Sequence, residues 1–209
     1  TRVTPKLPTL EMTETHIDGR VDRRLRNRDA VLATTIEMFS EDNVVPAMDD
    51  VAERASVSLR SVYRYFATRD ELIRAALEQW LAQMAPDLGV LPAVDGDLSA
   101  RVEHFCEQRL LLYFRFAPLA RVAIGLDPTD PIAQEIFEYG RKSLRLEFVD
   151  QCDTELRLLG QREQNMVTAA ATLPLQFPLS EYMHRGCGFD ATQMHDLIVE
   201  QMQLQLSLV

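Results

Sequence analysis

Residues 46–72 read PAMDDVAERASVSLRSVYRYFATRDEL, and their spacing predicts two short helices joined by a tight turn. Ser58 is a favourable N-cap for the second of these helices. Val62 and Phe66, four positions apart, supply its buried face. The apolar residues of the first helix recur three and four positions apart, and therefore share one face: Met48, Val51, Ala52 and Ala55.

The outward face of the second helix is polar. A helix this short and polar fits a DNA major groove, where serine and arginine contact bases and tyrosine hydroxyls usually contact phosphate. An ordinary corner between two helices, with solvated arginines, is the alternative. The side chains left facing outward are Arg60, Ser61, Tyr63, Arg64 and Tyr65.

A third helix is predicted to follow at once, because Thr68 and Glu71 have the spacing of a capping box. In this order the motifs resemble the DNA-binding domain of the TetR family of bacterial repressors. That family has an Ile-Ala pair, then Ala-Gly-Val-Ser, a Leu-Tyr-x-Tyr/His-Phe run, and Ser/Thr-Lys-Glu-x-Leu. The matching segments in this chain are Val51-Ala52, residues 55–58, residues 62–66 and residues 68–72, with Val31-Leu32 and Met38-Phe39 upstream.

The resemblance implies an all-α protein with a three-helix, helix-turn-helix domain over residues 20–68. Residues 1–19, which are mostly polar and include two prolines, are expected to form a disordered tail. The resemblance also implies that the second helix of the motif contacts DNA. We expect Arg69 to bind phosphate and Leu59 to meet a thymine methyl group. The candidate DNA contacts are Ser58, Leu59, Arg60, Ser61, Tyr63, Tyr65 and Arg69.

The motif departs from the family pattern at a few positions. Ser56 replaces a glycine, so a positive φ there would cost about 1 kcal/mol. Asn43 replaces another glycine but tolerates a left-handed helix end. Ala47 replaces a capping threonine, at a cost of about 1 kcal/mol. Asp49 and Asp50 partly offset that loss through the helix dipole, but would repel phosphate if they faced DNA.

The acidic residues lie mostly outside the motif. A net charge of −10 by itself disfavours phosphate binding. Residues 20–74 nevertheless hold ten basic and ten acidic side chains, whereas residues 76–209 hold ten basic and nineteen acidic. Five arginines between Arg20 and Arg28 are candidates for phosphate or minor-groove contacts, with a solvated cluster as the alternative.

Other protein classes lack their signatures in the sequence. No long apolar run predicts a membrane span or secretion signal, so we expect a cytoplasmic protein with no membrane partner. Cys106, Cys152 and Cys187 are expected to be buried thiols. No metal-ligand spacing, nucleophile–base pair or phosphate loop is present, so we expect no metal, no cofactor and no enzymatic activity.

Residues 69–209 predict a helical ligand-binding and dimerisation domain. In the first domain we expect Leu25 on the inner face of the opening helix, and in the linking helix we expect Trp80 and Leu81 to pack against the second domain. Pro118 is expected to end one helix of the second domain. The expected helices are 69–84, 98–116, a short one to 126, 131–160 with a kink near Gly140, 161–173, which Pro174 and Pro178 interrupt, and 191–206.

Arg109 stands alone on the apolar face of the helix from residue 98. An unpaired guanidinium there would be costly. Its partner is therefore a carboxylate such as Glu135 or Glu138, or solvent, or else an anionic or carbonyl-bearing ligand. The candidate ligand contacts are Phe105, Arg109, Tyr113 and Phe116.

The last two helices are expected to form a homodimer, as the family resemblance implies. The supporting features are the alanines at 169–171 and an apolar face on the final helix that includes Leu197 and Ile198. We therefore expect a repressor that binds a palindromic double-stranded DNA operator as a homodimer and is released by a small-molecule effector. A helical sensor or adaptor that has lost DNA binding is the alternative.

Overall fold

The computed structural model describes residues 19–42, 45–84 and 91–207, and that part of the chain contains helices and loops but no β-strand. The all-α fold with an N-terminal helix-turn-helix is confirmed. The expected tail, apart from Gly19, and Asn43 lie outside the described residues. The helices are α1 (Gly19–Asp42), α2 (Met48–Arg54), α3 (Leu59–Tyr65), α4 (Arg69–Met84), α5 (Leu98–Ile124), α6 (Pro131–Gln151), α7 (Asp153–Leu156), α8 (Gln161–Thr172), α9 (Phe177–Glu181) and α10 (Ala191–Leu206).

Helices α1 to α4 enclose an apolar cluster that we call the N-terminal core. Trp80 of α4 packs on Phe39 of α1, with ring centroids 6.4 Å apart. Helix α4 thus lies along α1, and the expected packing of Trp80 against the second domain stays a prediction, although its cluster also contains residues of α5 and α6. Leu25 is 52% exposed rather than internal, since it precedes Val31, the first α1 residue in the core. Other members of the core are Leu32, Val51, Val62, Phe66, Leu72 and Leu77.

The N-terminal core continues into the second half of the chain. Leu119 and Val122 of α5, and Ile132 of α6, are buried in the same cluster. The expected domain boundary at residue 69 stays a prediction, but the packing unites α4 with α1 to α3. The N-terminal helices and the second half of the chain, which we call the body, therefore share apolar contacts.

Helix α5 runs unbroken from Leu98 to Ile124, so the expected ending at Pro118 is wrong. Proline removes one backbone donor from a helix. The two neighbours of Pro118 are, however, buried in different clusters. Leu119 lies in the N-terminal core, and Ala117 lies in a second apolar cluster formed by later helices. Packing on both cores keeps the helix continuous.

Helix α6 ends at Gln151, earlier than the predicted end near residue 160, and it is continuous through Gly140. Cys152 leaves the helical region with φ −110° and ψ 21°. Arg101 of α5 donates to the Gln151 carbonyl and, at 2.5 Å, to the Glu155 carboxylate. The Arg101 side chain therefore binds the Gln151 carbonyl, which would accept a backbone N–H if the helix continued for another turn.

Helices α5, α6, α8 and α10 enclose the second cluster, which we call the body core. Ile198 of α10 is fully buried in it, whereas Leu197 is 43% exposed. Most of the apolar face of α10 therefore packs inside one chain, and its interpretation as a dimer surface is wrong for those residues. The α10 members are Met194, Ile198, Val199, Met202 and Leu206.

Residues 173–190 connect α8 to α10 through short helical segments. Leu173–Leu175 forms a 3₁₀ turn, and Tyr182–Gly186 forms a π-helical turn. Pro178 lies in the first turn of α9, where its missing N–H is not needed, and so starts that helix instead of interrupting one. Gly188 adopts φ +74°, which favours glycine.

Candidate nucleic-acid interface and internal cavity

The turn between α2 and α3 holds Ser56 at φ 55°, in the left-handed region. The Ser56 N–H donates to the Glu53 carbonyl at 3.0 Å, and the Val57 N–H donates to the Ala52 carbonyl at 3.0 Å. The turn that the sequence predicted therefore forms despite the serine. It closes the end of α2 with two backbone hydrogen bonds.

Ser58 caps α3 through its hydroxyl, which accepts from the Ser61 N–H at 3.2 Å and lies 2.9 Å from the Ser61 hydroxyl. Both hydroxyls thus set the start of the helix before any contact with DNA. At the start of α2, Ala47 makes no side-chain cap, as the missing threonine predicts. The exposed Asp49 and Asp50 lie in the first turn of α2.

Helix α3 presents a mixed basic and aromatic surface. Leu59 and Tyr63 are 41% and 52% exposed, and Arg60 is exposed beside them. Tyr65 is half-buried, and its hydroxyl accepts from the Arg64 guanidinium at 3.0 Å. Arg60 and Tyr63 therefore offer the freest polar groups on this helix.

The arginine-rich start of α1 lies beside the end of α3. The Arg28 guanidinium stacks over the Phe66 ring, 5.1 Å from its centroid. Arg23, Arg24 and Arg26 precede it on α1 and are exposed. Positive charge therefore lies near the C-terminal end of α3.

Arg69 is exposed, but its guanidinium is hydrogen-bonded within the protein. Its guanidinium donates to the Pro46 carbonyl at 2.9 Å and to the Val45 carbonyl, which joins the start of α4 to the segment before α2. Thr68 accepts from the Glu71 N–H at 3.1 Å, but the Glu71 carboxylate accepts from the Ala67 N–H rather than that of Thr68. A phosphate contact for Arg69 stays a prediction, and Arg69 also has a structural role.

A cavity of about 450 Å³ lies between α4, α5, α6 and residues 175–178. It is open to solvent, since its lining includes the exposed Ile124, Tyr139 and Arg141. Leu81 brings α4 to the wall, and α6 contributes residues from Ile136 to Leu144. Most of the wall is apolar. Its aromatic and polar members are Arg109, Tyr113, Phe116, Phe137, Tyr139, Arg141, Ser143, Gln176 and Phe177.

Arg109 is paired with Glu147 of α6, not with Glu135 or Glu138, which are exposed. The guanidinium donates to the Glu147 carboxylate at 3.0 Å, and the two side chains are 11% and 1% exposed. Burial lowers the pKa of Arg109, although Glu147 opposes that shift. The carboxylate partner predicted for Arg109 exists, but on a different residue.

The match to a known protein family lies in the helix-turn-helix. Residues 31–76, from within α1 to within α4, match the family model described as bacterial regulatory proteins, tetR family. This segment is a TetR-type helix-turn-helix. The match ends within α4, so it does not extend to α5 and the helices that follow.

Two individual proteins are also similar to this chain. Over 54 residues it is 32% identical to YvaF of Bacillus subtilis (strain 168), named as an uncharacterized HTH-type transcriptional regulator. That alignment covers 26% of this chain and 28% of the length of YvaF. The crystal structure of apo ActR from Streptomyces coelicolor overlaps 87% of this chain and 96% of its own, with a TM-score of 0.40 and 17% identity.

Three of the four residues predicted to meet a ligand line the cavity: Arg109, Tyr113 and Phe116. Phe105 does not, since it packs against Phe148 in the body core with ring centroids 5.9 Å apart. Phe105 lies one helical turn before Arg109 on α5 and is not part of the cavity wall. Ligand binding by the other three stays a prediction.

Two carboxylates near the cavity were missed from the sequence. Glu181 accepts from the Tyr113 hydroxyl at 2.9 Å and from Arg121 at 2.8 Å. Burial would raise the pKa of Glu181, but the hydrogen bonds from Arg121 and Tyr113 outweigh it and the pKa is lowered. Glu147 could have been recognised from the sequence, because it lies four residues after Ser143 on a helix face whose other residues are mostly apolar.

The body is joined to α4 by an ion pair. Asp130 caps α6 by accepting from the Ile132 N–H at 3.1 Å, and it also accepts from the Arg74 guanidinium. Asp130 is 2% exposed and Arg74 is 45% exposed. The start of the cavity-lining helix α6 is therefore tied to the helix that carries the DNA-binding domain.

The cysteines divide into two kinds. Burial raises the pKa of Cys106 and of Cys152 to about 12, which makes both thiols poor nucleophiles. Cys187 is exposed, contrary to the expectation that all three are buried, because it follows the π-helical turn at the surface. Across the described ranges, no group of three potential metal ligands is found and no helix is long and apolar enough to cross a membrane.

Proposed function

We propose that this chain is a ligand-responsive repressor of the TetR family that binds a palindromic operator as a homodimer and is released when a small molecule fills the cavity. The observation that carries the proposal is the exposed face of α3. A capped helix presents Leu59, Arg60 and Tyr63 there, and Arg28 of α1 lies near its C-terminal end. Regulation of transcription, rather than catalysis, is the activity that this arrangement supports.

On α3 we assign different roles to the two freest polar groups. Arg60, in the first turn, is placed to read a guanine edge, since the N-terminal residues of a recognition helix meet bases. Tyr63, one turn later and 52% exposed, is placed to bind a phosphate oxygen. The other candidates on this helix would contact DNA through hydroxyl groups that already form hydrogen bonds within the protein. These candidates are Ser58, Ser61 and Tyr65.

A dimer surface is available on α8 and α10. Gln201 of α10 donates to the Ala170 carbonyl of α8 at 3.5 Å, so the two helices are adjacent there. On either side of Gln201, Leu197 is 43% exposed and Leu204 is 62% exposed. On either side of Ala170, Met166 is 61% exposed and Leu173 is 53% exposed. Each of these residues lies three or four positions from the contact, and therefore on the same side of its helix. These exposed apolar residues lie on both sides of the Gln201–Ala170 contact. Two copies of the chain could pack together through this surface, with the same residues contributed by each.

The cavity is placed to influence the DNA-binding domain. Its wall includes Leu81 of α4, and α6 carries both wall residues and the Asp130 cap that holds Arg74. A ligand that favours another position of α6 would act on α4 through this pair and the shared apolar packing. DNA and ligand would then compete through a single conformational equilibrium.

The second candidate is a helical sensor or adaptor that has lost DNA binding. The exposed Asp49 and Asp50 at the start of α2 favour it, because two carboxylates repel phosphate where the first helix of the motif crosses the DNA backbone. The basic residues of α1 and α3 favour the repressor.

A gel shift with the DNA upstream of the chain's own gene separates the two candidates. The repressor predicts retardation that is lost in the double variant Arg60→Ala, Tyr63→Ala. Arg157→Ala is the matched control, since this arginine is 76% exposed on the body and should leave the shift unchanged. Absence of retardation would favour the adaptor, whereas equal retardation by the double variant would contradict the DNA contacts assigned to Arg60 and Tyr63.

A further inference from the structure

We infer that the cavity takes an uncharged, largely apolar organic molecule, a ligand class that rests on the proposed effector role of this cavity. The 450 Å³ volume lies within the range of about 300–1,000 Å³ usual for small-molecule sites. Among the wall residues that the structure describes are two guanidinium groups, Arg109 and Arg141, and no carboxylate. The class of ligand follows from how those charges are engaged.

Aromatic rings form a continuous part of the wall. The Phe177 ring lies between those of Tyr113 and Phe137, with centroids 6.0 Å and 6.1 Å away. Phe116 and Leu112 extend this apolar surface along α5. Rings and aliphatic groups of a ligand would gain contact area here, whereas a charged group would lose its water.

An organic anion is disfavoured because the buried guanidinium on the wall is already engaged. Arg109 donates to Glu147 at 3.0 Å, and lies 3.5 Å from the Ser143 hydroxyl and 3.5 Å from the Gly140 carbonyl. An anion that captured Arg109 would leave Glu147, which is 1% exposed, as an unpaired buried charge. Arg141 is exposed, and water screens its attraction for a ligand.

An organic cation is disfavoured for the complementary reason. The nearby carboxylate of Glu181 is held by Arg121 and by the Tyr113 hydroxyl, and Glu147 is held by Arg109. Both carboxylates are therefore neutralised from inside the protein.

Two fluorescent probes with the same ring framework test this inference on the full chain without DNA. N-phenyl-1-naphthylamine is uncharged, and 8-anilinonaphthalene-1-sulfonate adds one negative charge. We expect saturable binding of the uncharged probe, at least about tenfold tighter than binding of the sulfonate. In the double variant Arg109→Met, Glu147→Met, the uncharged probe should bind with an affinity within about threefold of the original.

Substitutions locate the binding. Ala120→Leu fills the cavity from α5 and should weaken the uncharged probe by about tenfold or more, and Leu112→Trp should do the same if Ala120→Leu fails to fold. Ala82→Leu, at an exposed position of α4, is the matched control and should change nothing.

Three results would overturn the inference: equal or tighter cavity binding of the sulfonate, loss of uncharged-probe binding in the Arg109–Glu147 double variant, or insensitivity of that binding to both cavity-filling substitutions. Because no DNA is present, a failed gel shift would count against the repressor and leave these titrations valid. Failed titrations would likewise leave DNA binding intact.

Discussion

Ser56 combines a side chain with a backbone conformation that glycine adopts more easily. Its φ of 55° is the one positive value found for a non-glycine residue within residues 19–42, 45–84 and 91–207. A left-handed conformation costs an ordinary L-residue about 1–2 kcal/mol. The residue is exposed, so no contact of its side chain in the core compensates for that cost.

We predict that Ser56→Gly stabilises the protein by about 0.5–1 kcal/mol, since relief of strain exceeds the extra entropy of an unfolded glycine. Urea unfolding monitored by circular dichroism measures the change. Ser40→Gly, at an exposed position inside α1, is the control and should destabilise by about 0.5–1 kcal/mol. Equal destabilisation by both substitutions would show that the turn carries no strain.

Arg109 and Glu147 form the most buried of the ion pairs that join helices in the body. We predict that Arg109→Met lowers the free energy of unfolding by about 3–5 kcal/mol, because it leaves the Glu147 carboxylate buried without its partner. Arg109→Met combined with Glu147→Met should recover at least about half of that loss, since an apolar pair has no unpaired charge.

Urea unfolding of the single and double variants checks this pair. The double variant retains one cost, because the Leu91 N–H now donates to the Glu147 carboxylate at 3.3 Å. If the double variant were as unstable as Arg109→Met alone, the loss would come from packing and not from the unpaired charge.

Helix α3 should separate into residues that read sequence and residues that supply affinity. We predict that Arg60→Ala weakens operator binding by about 1–3 kcal/mol while leaving binding to scrambled DNA nearly unchanged. Tyr63→Ala should weaken both and reduce the slope of log affinity against log salt by up to about one unit. Fluorescence anisotropy titrations at several salt concentrations measure both effects, and equal losses of Arg60→Ala on both DNAs would remove its base-reading role.

Arg69 needs a different test, because its guanidinium binds the Val45 and Pro46 carbonyls. We predict that Arg69→Ala weakens DNA binding and also lowers the stability of the helix-turn-helix, by about 1–3 kcal/mol. Anisotropy titrations alongside urea unfolding distinguish the two roles. Weaker DNA binding with unchanged stability would assign Arg69 to phosphate alone.

Elements fixed by local chemistry were predictable from the sequence. Ser58, Asp130 and Asp190 each cap the helix predicted to follow, and the spacing of Val62 and Phe66 gave the inner face of α3. These signals depend on residues within one or two helical turns, so they need no knowledge of the fold.

Features set by distant contacts were not predictable. Pro118 continues α5 because two separate cores hold its neighbours, and α6 stops at Gln151 because Arg101 of another helix takes its carbonyl. The pairing of Arg109 with Glu147 depends on how α5 lies against α6. Sequence spacing placed Arg109 on an apolar face but left its partner open among several carboxylates.

The assembly of the whole molecule depends on which apolar residues of α8 and α10 remain exposed. Ile198 is fully buried in one chain, so a charge there would test folding rather than association. We predict that Leu204→Glu, at a position 62% exposed, converts a homodimer to a folded monomer. Sedimentation at micromolar concentration measures the mass, and circular dichroism checks the fold.

Leu111→Glu is the matched control, since Leu111 is 57% exposed on α5. It should leave the sedimentation coefficient unchanged. A monomeric unmodified protein, or a Leu204→Glu variant that stays dimeric, would remove α8 and α10 as the dimer surface.

Sequence-specific binding by a symmetric pair of α3 helices is the central claim, and selection from a pool of randomised DNA duplexes tests it most directly. The repressor predicts enrichment of one palindrome whose half-site centres lie about 10–10.5 base pairs apart, or a multiple of that spacing. The double variant Arg60→Ala, Tyr63→Ala should enrich no such sequence. Selection that yields no common sequence, or the same palindrome with the double variant, would contradict the account.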